Sequence, residues 1–277
     1  MINYNGDLSQ TENVNISIEN RGFKYGDAIF ETIKINNGRV VFFEDHYFRL
    51  MASMRMLRMK IPMHFTLEFL EQEILKTVAT QDKANSFRAR LTVYRKDGGL
   101  YTPNTNEVDF LIEVSANTFQ TKESYSIDLY KDFYNFSGLL STIKTNNRMV
   151  NTLASIYASE NDFDNCVLLN ERKGVVEVTN GNIFIIKGKT IKTPAITEGC
   201  IKGIVRKKVI EIIEKHPDFN IEETVISPFE IQKADEVFIT NAIVGIQPVT
   251  KYRKKEFSVA VSSKLQSSLK LLEITGK

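Results

Sequence analysis

Cysteine is scarce in this chain: Cys166 and Cys200 are the only two among 277 residues. Two thiols in apolar surroundings make no disulfide framework and point to a reducing, cytoplasmic setting. Histidine occurs three times, at His46, His64 and His216, without metal-ligand spacing, so no metal site is expected. No apolar run approaches the ~18 residues that a membrane span needs. The opening Met1-Ile2-Asn3-Tyr4-Asn5-Gly6-Asp7 lacks a basic stretch leading into an apolar one, so no secretory signal is expected. An excess of one charge is lacking too. The 36 basic and 34 acidic residues leave a net charge of +2, which gives no reason to expect nucleic acid or an anionic membrane as a partner. The basic run Lys251-Tyr252-Arg253-Lys254-Lys255 reads as a solvated loop after a strand. Internal repeats and low-complexity segments are absent.

What remains is an ordinary globular composition, 42% hydrophobic and 25% charged, at a length that suits two domains. Residues 40–43 read as a short apolar strand. Residues 46–59 and 67–78 carry apolar side chains at helical spacing, and the methionines of the first read as core. Residues 87–94 and 110–114 read as strands, separated by the turn-rich Lys96-Asp97-Gly98-Gly99 and Pro103-Asn104. A polar stretch over residues 116–124 then interrupts the pattern. Beyond it, strands are expected at 126–130, 166–170, 182–186 and 236–239, and helices at 150–160, 205–214 and 259–272. The expected fold class is mixed α/β (α+β). An amino-terminal domain would span 1–116, a linker 117–124 and a carboxy-terminal domain 125–277, with a cleft of the kind that often holds a cofactor.

Five segments could carry chemistry. In Ser141-Thr142-Ile143-Lys144-Thr145-Asn146-Asn147-Arg148 a lysine lies between an apolar run and a helix start. A lysine amine traps carbonyl carbons only when desolvation or nearby positive charge favours its neutral form. In Gly174-Val175-Val176-Glu177-Val178-Thr179-Asn180-Gly181-Asn182 a single acid closes a short apolar run. Thr197-Glu198-Gly199-Cys200-Ile201-Lys202-Gly203-Ile204-Val205-Arg206 puts glycine ahead of a helix, leaving its first N–H groups available to a phosphate. In Ile239-Thr240-Asn241-Ala242 a strand runs into small polar residues that could close over an anion. Near the amino terminus, Tyr25-Gly26-Asp27-Ala28-Ile29-Phe30-Glu31-Thr32 precedes a helix bearing Arg49, whose planar guanidinium suits phosphate.

In this order the five segments, with Thr193-Pro194 and Ala234-Asp235-Glu236-Val237-Phe238, resemble the class IV aminotransferases, the fold type IV pyridoxal phosphate enzymes. The resemblance runs from Arg21 to about Val249. It implies a two-domain fold like that of the D-amino-acid aminotransferases, pyridoxal 5′-phosphate as cofactor and Lys144 as the catalytic residue holding it in a Schiff base. Glu177 would pair with the pyridine nitrogen. The cofactor phosphate would be bound by Arg49, by backbone N–H groups around Gly203, Ile204 and Val205, and by the turn at Thr240, Asn241 and Ala242. Asn182 falls in the same cofactor-binding set. Tyr25, Thr32, Arg148 and Arg90 would face an amino-acid-type substrate, although Arg88 fits a strand position two residues from Arg90. The family also implies a homodimer.

Within the family, the pattern leans toward the aminodeoxychorismate lyases, which form 4-aminobenzoate and pyruvate for folate synthesis. Branched-chain aminotransferases usually have glycine where Thr32 stands and a tyrosine near Arg148. One departure stands against this reading. Lyases often carry an arginine within the glycine motif that follows Arg95, and Lys96-Asp97-Gly98-Gly99-Leu100-Tyr101 has none. The alternative is an aminotransferase acting on branched-chain or D-amino acids. A non-catalytic α/β binding protein would require Lys144 and Glu177 to be incidental.

Overall fold

The computed structural model describes residues 1–275. The chain divides into two compact units, one formed by Met1–Thr118 with Lys144–Asn147, the other by Phe119–Ile143 with the chain from Arg148 onward. Lys144, expected with the carboxy-terminal domain, is thus grouped with the amino-terminal strands.

The first unit contains β1 (Ile2–Tyr4), β2 (Asp7–Ser9), α1 (Arg21–Tyr25), β3 (Ala28–Asn36), β4 (Arg39–Val40), α2 (Phe43–Met56), α3 (Leu67–Val78), β5 (Ser86–Arg95) and β6 (Val108–Ala116). Its strands make one antiparallel sheet in the order β2-β1-β6-β5-β3-β4. Alternation along the strands decides which face is covered. On β3, Ile29, Ile33 and Ile35 are buried, and their face continues through Ala89, Leu91 and Val93 of β5 to Phe110 and Ile112 of β6. Helices α2 and α3 pack on that face. They bring Leu50, Met54, Leu70 and Ile74 into the core, and the rings of Phe65 and Phe69 meet Phe110 edge-on. Thr66 caps α3 by accepting the Phe69 N–H at 3.1 Å. The other face carries Thr32, Lys34, Arg88 and Arg90, all half-buried. The strand expected at 40–43 is shorter than its apolar run suggests. β4 ends at Val40, Phe42 adopts a left-handed conformation (φ 52°), and α2 begins at Phe43 with Glu44 and Asp45 in its first turn, where acidic side chains favour a helix start.

The second unit contains β7 (Ser126–Leu129), α4 (Met149–Glu160), β8 (Asn165–Leu169), β9 (Val175–Val178), β10 (Asn182–Lys187), β11 (Thr190–Pro194), α5 (Ile204–Glu214), β12 (Asn220–Thr224), α6 (Pro228–Lys233), β13 (Glu236–Asn241), β14 (Gly245–Val249), β15 (Lys251–Tyr252), β16 (Lys255–Glu256) and α7 (Ala260–Thr275). Two five-stranded sheets, β12-β11-β10-β13-β14 and β16-β15-β7-β8-β9, enclose a shared core that includes Ile127, Val167, Val175, Ile183, Val237 and Val249. Helix α4 covers the outer face of the second sheet through Ala154, Ala158, Cys166 and Leu168. Helices α5 and α7 pack on β13, and α7 also on β14. Strands covered on both faces lose their polar alternation, which is why β8, β9 and β10 read as continuous apolar runs. The basic run at 251–255 is a short antiparallel hairpin, β15 against β16.

Candidate active site

Lys144 is placed by backbone pairing. Residues 144–146 lie antiparallel to the start of β3. The Phe30 N–H donates to the Lys144 carbonyl and the Asn146 N–H to the Ala28 carbonyl, both at 2.9 Å, with Thr145 opposite Ile29. Opposite residues in an antiparallel pair share a face. Lys144 therefore emerges beside Phe30 on the sheet face away from α2 and α3, and its Nζ sits 4.3 Å from the Phe30 ring centroid. The Arg90 guanidinium lies 3.8 Å from the same centroid and donates from Nη2 to Asn146 Oδ1 at 3.1 Å. Burial, with Arg88 nearby, lowers the pKa of Arg90, against the pull of Glu113.

On the covered face, Glu31 is fully enclosed with α2. Arg49 donates from Nε to Glu31 Oε1 at 2.8 Å and from Nη2 to Oε2, a two-pronged match of guanidinium to carboxylate. His46 Nδ1 lies 2.7 Å from Glu31 Oε2. Burial lowers the His46 pKa more than Glu31 raises it, so the imidazole is neutral and donates its Nδ1–H to the carboxylate. Burial alone would raise the Glu31 pKa, but Arg49 and His46 outweigh it and bring it down from 4.5 to about 2. His46 and Arg49 are one helical turn apart and so share a face.

A second group of residues is assembled within the second unit. Glu177, on β9, accepts the Ile201 N–H at 3.0 Å, and Asn182, opening β10, donates from Nδ2 to the Ile201 carbonyl at 2.9 Å. Both backbone polar groups of Ile201 are thereby held just ahead of α5. Gly203 is the residue before that helix, and a Cβ there would fall 2.0 Å from Asn182 Oδ1. Only glycine fits. No side chain caps α5, so the N–H groups of Ile204 and Val205 point outward at the positive end of the helix dipole. Thr240 stands directly across from Asn182 in the β10–β13 pairing. Its hydroxyl is buried and has no hydrogen-bond partner among the described residues. Asn241 is turned inward, its Oδ1 accepting from the Ile243 and Val244 N–H groups at 3.0 and 2.9 Å.

Residues 28–252 match the protein family described as amino-transferase class IV. The chain belongs to that family. It is accordingly a pyridoxal-phosphate-dependent enzyme. The class IV chain is 29% identical over 249 residues to a putative branched-chain-amino-acid aminotransferase of Methanocaldococcus jannaschii, covering 88% of this chain and 85% of that one. It is 28% identical over 261 residues to the D-alanine aminotransferase of Bacillus licheniformis (89% and 86% covered). It is 25% identical over 242 residues to the aminodeoxychorismate lyase of Vibrio harveyi (85% and 86% covered). Its fold is that of the branched-chain aminotransferase of Thermoproteus uzoniensis, with a TM-score of 0.91 at 20% identity over 99% of this chain and 94% of that one.

The second group fits the phosphate of this cofactor. An uncapped helix start, a glycine whose Cβ would displace Asn182 and a buried hydroxyl without a partner among the described residues form a donor set that an anion would complete. Ala242 follows Asn241 in the same turn. In the first unit, Thr32 lies across from Arg90 and Tyr25 ends α1, its ring 4.9 Å from the Arg21 guanidinium and 5.8 Å from the Tyr101 ring. In the second, Arg148 precedes α4 and donates from Nη2 to the Ile143 carbonyl at 2.7 Å. Arg88 and Arg90 share a face, so the choice between them falls away as a question of orientation. Three residues stayed unassigned from the sequence: Phe30, Glu31 and Asn146. An acid inside the apolar run Ala28-Ile29-Phe30-Glu31-Thr32-Ile33 is the signal that could have marked Glu31 as paired.

The glycine loop that lacks an internal arginine is held by a distant one. Arg21 donates to the carbonyls of Gly98 at 3.1 Å and Leu100 at 2.6 Å, and through Nε to Asp27 at 2.9 Å. Asp27 Oδ2 also accepts from Arg95 Nε at 2.9 Å. Arg21 is thus committed to backbone carbonyls and to Asp27.

Proposed function

We propose that this class IV enzyme is a lyase that converts 4-amino-4-deoxychorismate to 4-aminobenzoate and pyruvate. The observation that carries the reading is Thr32, which stands on the open sheet face with Phe30 and Arg90, where branched-chain aminotransferases usually have glycine. Pyridoxal phosphate supplies an electrophilic carbon and a ring that accepts the electron pair left when the substrate's C–H is broken. Lys144 would hold that carbon, and its freed amine would take the proton from the substrate carbon bearing the nitrogen. Glu177 would pair with the pyridine nitrogen. The N–H groups from Gly203 to Val205 and the Thr240 hydroxyl would bind the cofactor phosphate, with Asn182 holding the approach to α5 in shape; Arg49, given the same role by the resemblance, is paired with Glu31 on the other face of the sheet from Lys144. Arg90 and Arg148 orient substrate, and Tyr25 borders it. The enolpyruvyl oxygen would leave the neighbouring carbon with the C–O bonding pair as the ring becomes aromatic, and the departing enolate would take up a proton to give pyruvate.

A second reading, an aminotransferase for branched-chain or D-amino acids, is favoured by the arginine-free loop at residues 96–101 and by the identities to the aminotransferases above. The functional unit is a homodimer in the cytoplasm. Exposed Phe23, Leu100 and Tyr101 in the first unit supply apolar surface suited to a second copy.

Absorbance of the purified protein, with a Lys144→Ala control, tests the anchor: a visible cofactor band is expected in the wild type and not in the control. Pyruvate release from aminodeoxychorismate without loss of that band supports the lyase. Bleaching of the band by an ordinary amino acid, with no pyruvate from aminodeoxychorismate, overturns the lyase in favour of the aminotransferase.

A further inference from the structure

Two buried carboxylates of the second unit each hold the chain segment that carries the other, and the mechanism above uses one of them. Glu177 lies on β9 and accepts the Ile201 N–H at 3.0 Å. Glu198 lies three residues ahead of Ile201 and reaches the turn that precedes β9. It ends a single 3-10 turn, Ile196–Glu198, after which Gly199 reverses the chain in a left-handed conformation (φ 100°) that glycine adopts without strain. Asn170 donates from Nδ2 to Glu198 Oε2 at 2.8 Å, and Arg172 donates from Nη2 to both carboxylate oxygens at 3.2 Å. Through Oδ1, Asn170 also accepts the N–H groups of Arg172 at 3.1 Å and Gly174 at 2.9 Å. The Arg172 guanidinium is steadied from Nη1 by Ser137 Oγ at 2.7 Å and Glu171 Oε1 at 2.8 Å. Gly174 comes so near that a Cβ there would lie 3.1 Å from Glu198 Oε2. The loop before α5 and the start of β9 are thus laced twice, by Glu198 around Asn170 and Gly174 and by Glu177 at Ile201.

We propose that Glu198 is a positioning residue for the cofactor: it fixes the Ile201 backbone, and through the Ile201 N–H it sets the orientation in which Glu177 meets the pyridine nitrogen. A carboxylate at the end of a glutamate side chain turns about its last bonds unless something takes one of its oxygens, and the Ile201 N–H takes Oε2. That bond orients Glu177 only as well as Ile201 is itself placed. Asn182 restrains the Ile201 carbonyl at 2.9 Å. On the other side lies Gly199, the residue type with the least intrinsic backbone restraint. Glu198 supplies the anchor beyond that glycine. A shift of about 1 Å is enough to cost a positioned group much of its effect. A buried ion pair gives little net stability over an apolar contact of the same size, whereas its fixed geometry suits a positioning role. This inference rests on the pairing of Glu177 with the cofactor ring proposed above, and it is indifferent to whether the reaction is elimination or amino transfer.

The test is a double-mutant cycle on the full chain with wild type, Glu198→Gln, Glu177→Gln and the double variant. Two quantities are read: the dissociation constant for pyridoxal 5′-phosphate, by titration of the cofactor-free protein, and the absorbance maximum of the loaded protein across pH. Glu177→Gln is expected to raise the constant and move the band. Glu198→Gln should raise the constant about 5- to 10-fold, the order of one charge-assisted hydrogen bond, and move the band in the same direction. In the Glu177→Gln background the same change should alter the constant less than about 2-fold, because residues that act through one another are not additive. Far-UV circular dichroism and urea denaturation of each variant separate folding from positioning. Glu198→Gln that lowers the denaturation midpoint but leaves the constant and the band as in the wild type overturns the inference, as do effects of the two changes that simply add. Arg172→Gln leaves Asn170 on Glu198 and should raise the constant about 3-fold; if Glu198→Gln does not fold, this milder change decides by the same criteria. Glu177→Gln without effect on either reading removes the Glu177 assignment and this inference together, whereas a clear effect of Glu177→Gln with none from Glu198→Gln removes the inference alone.

Discussion

Glu31→Gln removes one charge from a buried network and leaves its shape intact. In the wild type the carboxylate is enclosed between β3 and α2, accepts two bonds from Arg49 and one from a neutral His46, and titrates at about 2 instead of 4.5. At about 1.4 kcal/mol per tenfold change in proton affinity, that fall corresponds to about 3 kcal/mol of stability at neutral pH. A second route reaches the same size: breaking a buried ion pair by removing one partner costs roughly 3–5 kcal/mol. The direction with pH follows from a folded pKa below the unfolded one. The contribution is complete above pH 4.5, where the carboxylate is ionised in both states, and disappears as pH falls toward 2. The sequence has no tryptophan, so urea unfolding would be followed by far-UV circular dichroism in both proteins from pH 7 downward. Wild type should exceed Glu31→Gln by about 3 kcal/mol at pH 7, and the gap should close below pH 4.5. A gap under about 1 kcal/mol at pH 7, or one that stays constant down to pH 3, refutes the reasoning.

Thr240→Val replaces a buried hydroxyl that has no partner among the described residues. The cofactor-free protein should gain roughly 1 kcal/mol in denaturation, while the dissociation constant for pyridoxal phosphate rises about tenfold; lost stability in the cofactor-free form would contradict the assignment. Glu236→Ala should cost roughly 2–4 kcal/mol, because its carboxylate accepts the Val261 and Ser262 N–H groups and the hydroxyls of Ser258 and Ser262 at the start of α7. A midpoint change within experimental error in chemical denaturation would show that α7 does not depend on this cap. Cys166 and Cys200 are buried, and burial pushes both thiols up to about 12. A disulfide reagent at pH 8 should therefore label them only as fast as the protein opens, and rapid stoichiometric labelling of native protein would exclude the burial.

Where structure depends on neighbours in sequence, it was legible. The helix expected at 67–78 is α3 at Leu67–Val78, and the strand expected at 182–186 is β10, one residue longer. Their apolar spacing and flanking turns are local signals. The strand expected at 40–43 shows where such signals conflict. Val40-Val41-Phe42-Phe43 is apolar enough for a strand, but a left-handed Phe42 and the acids after it turn the chain into α2. Site residues divide the same way. Gly203 before α5 was readable as an anion-binding turn, whereas its close approach to Asn182, which opens β10, was not.

From the sequence alone followed the family, the cofactor and the order of the chemical groups along the chain, because residue type and order carry that information without distances. Tertiary structure decided what those groups face. Pairing of residues 144–146 with β3 sets Lys144 beside Phe30 and Arg90. The alternation of β3 sends Glu31 to the opposite face, where α2 encloses it with Arg49. The register of β5 against β3 puts Lys34, not an acid, across from Arg88. Each of these contacts joins residues distant in sequence, and only the strand register, set by burying one face of the sheet, brings them together.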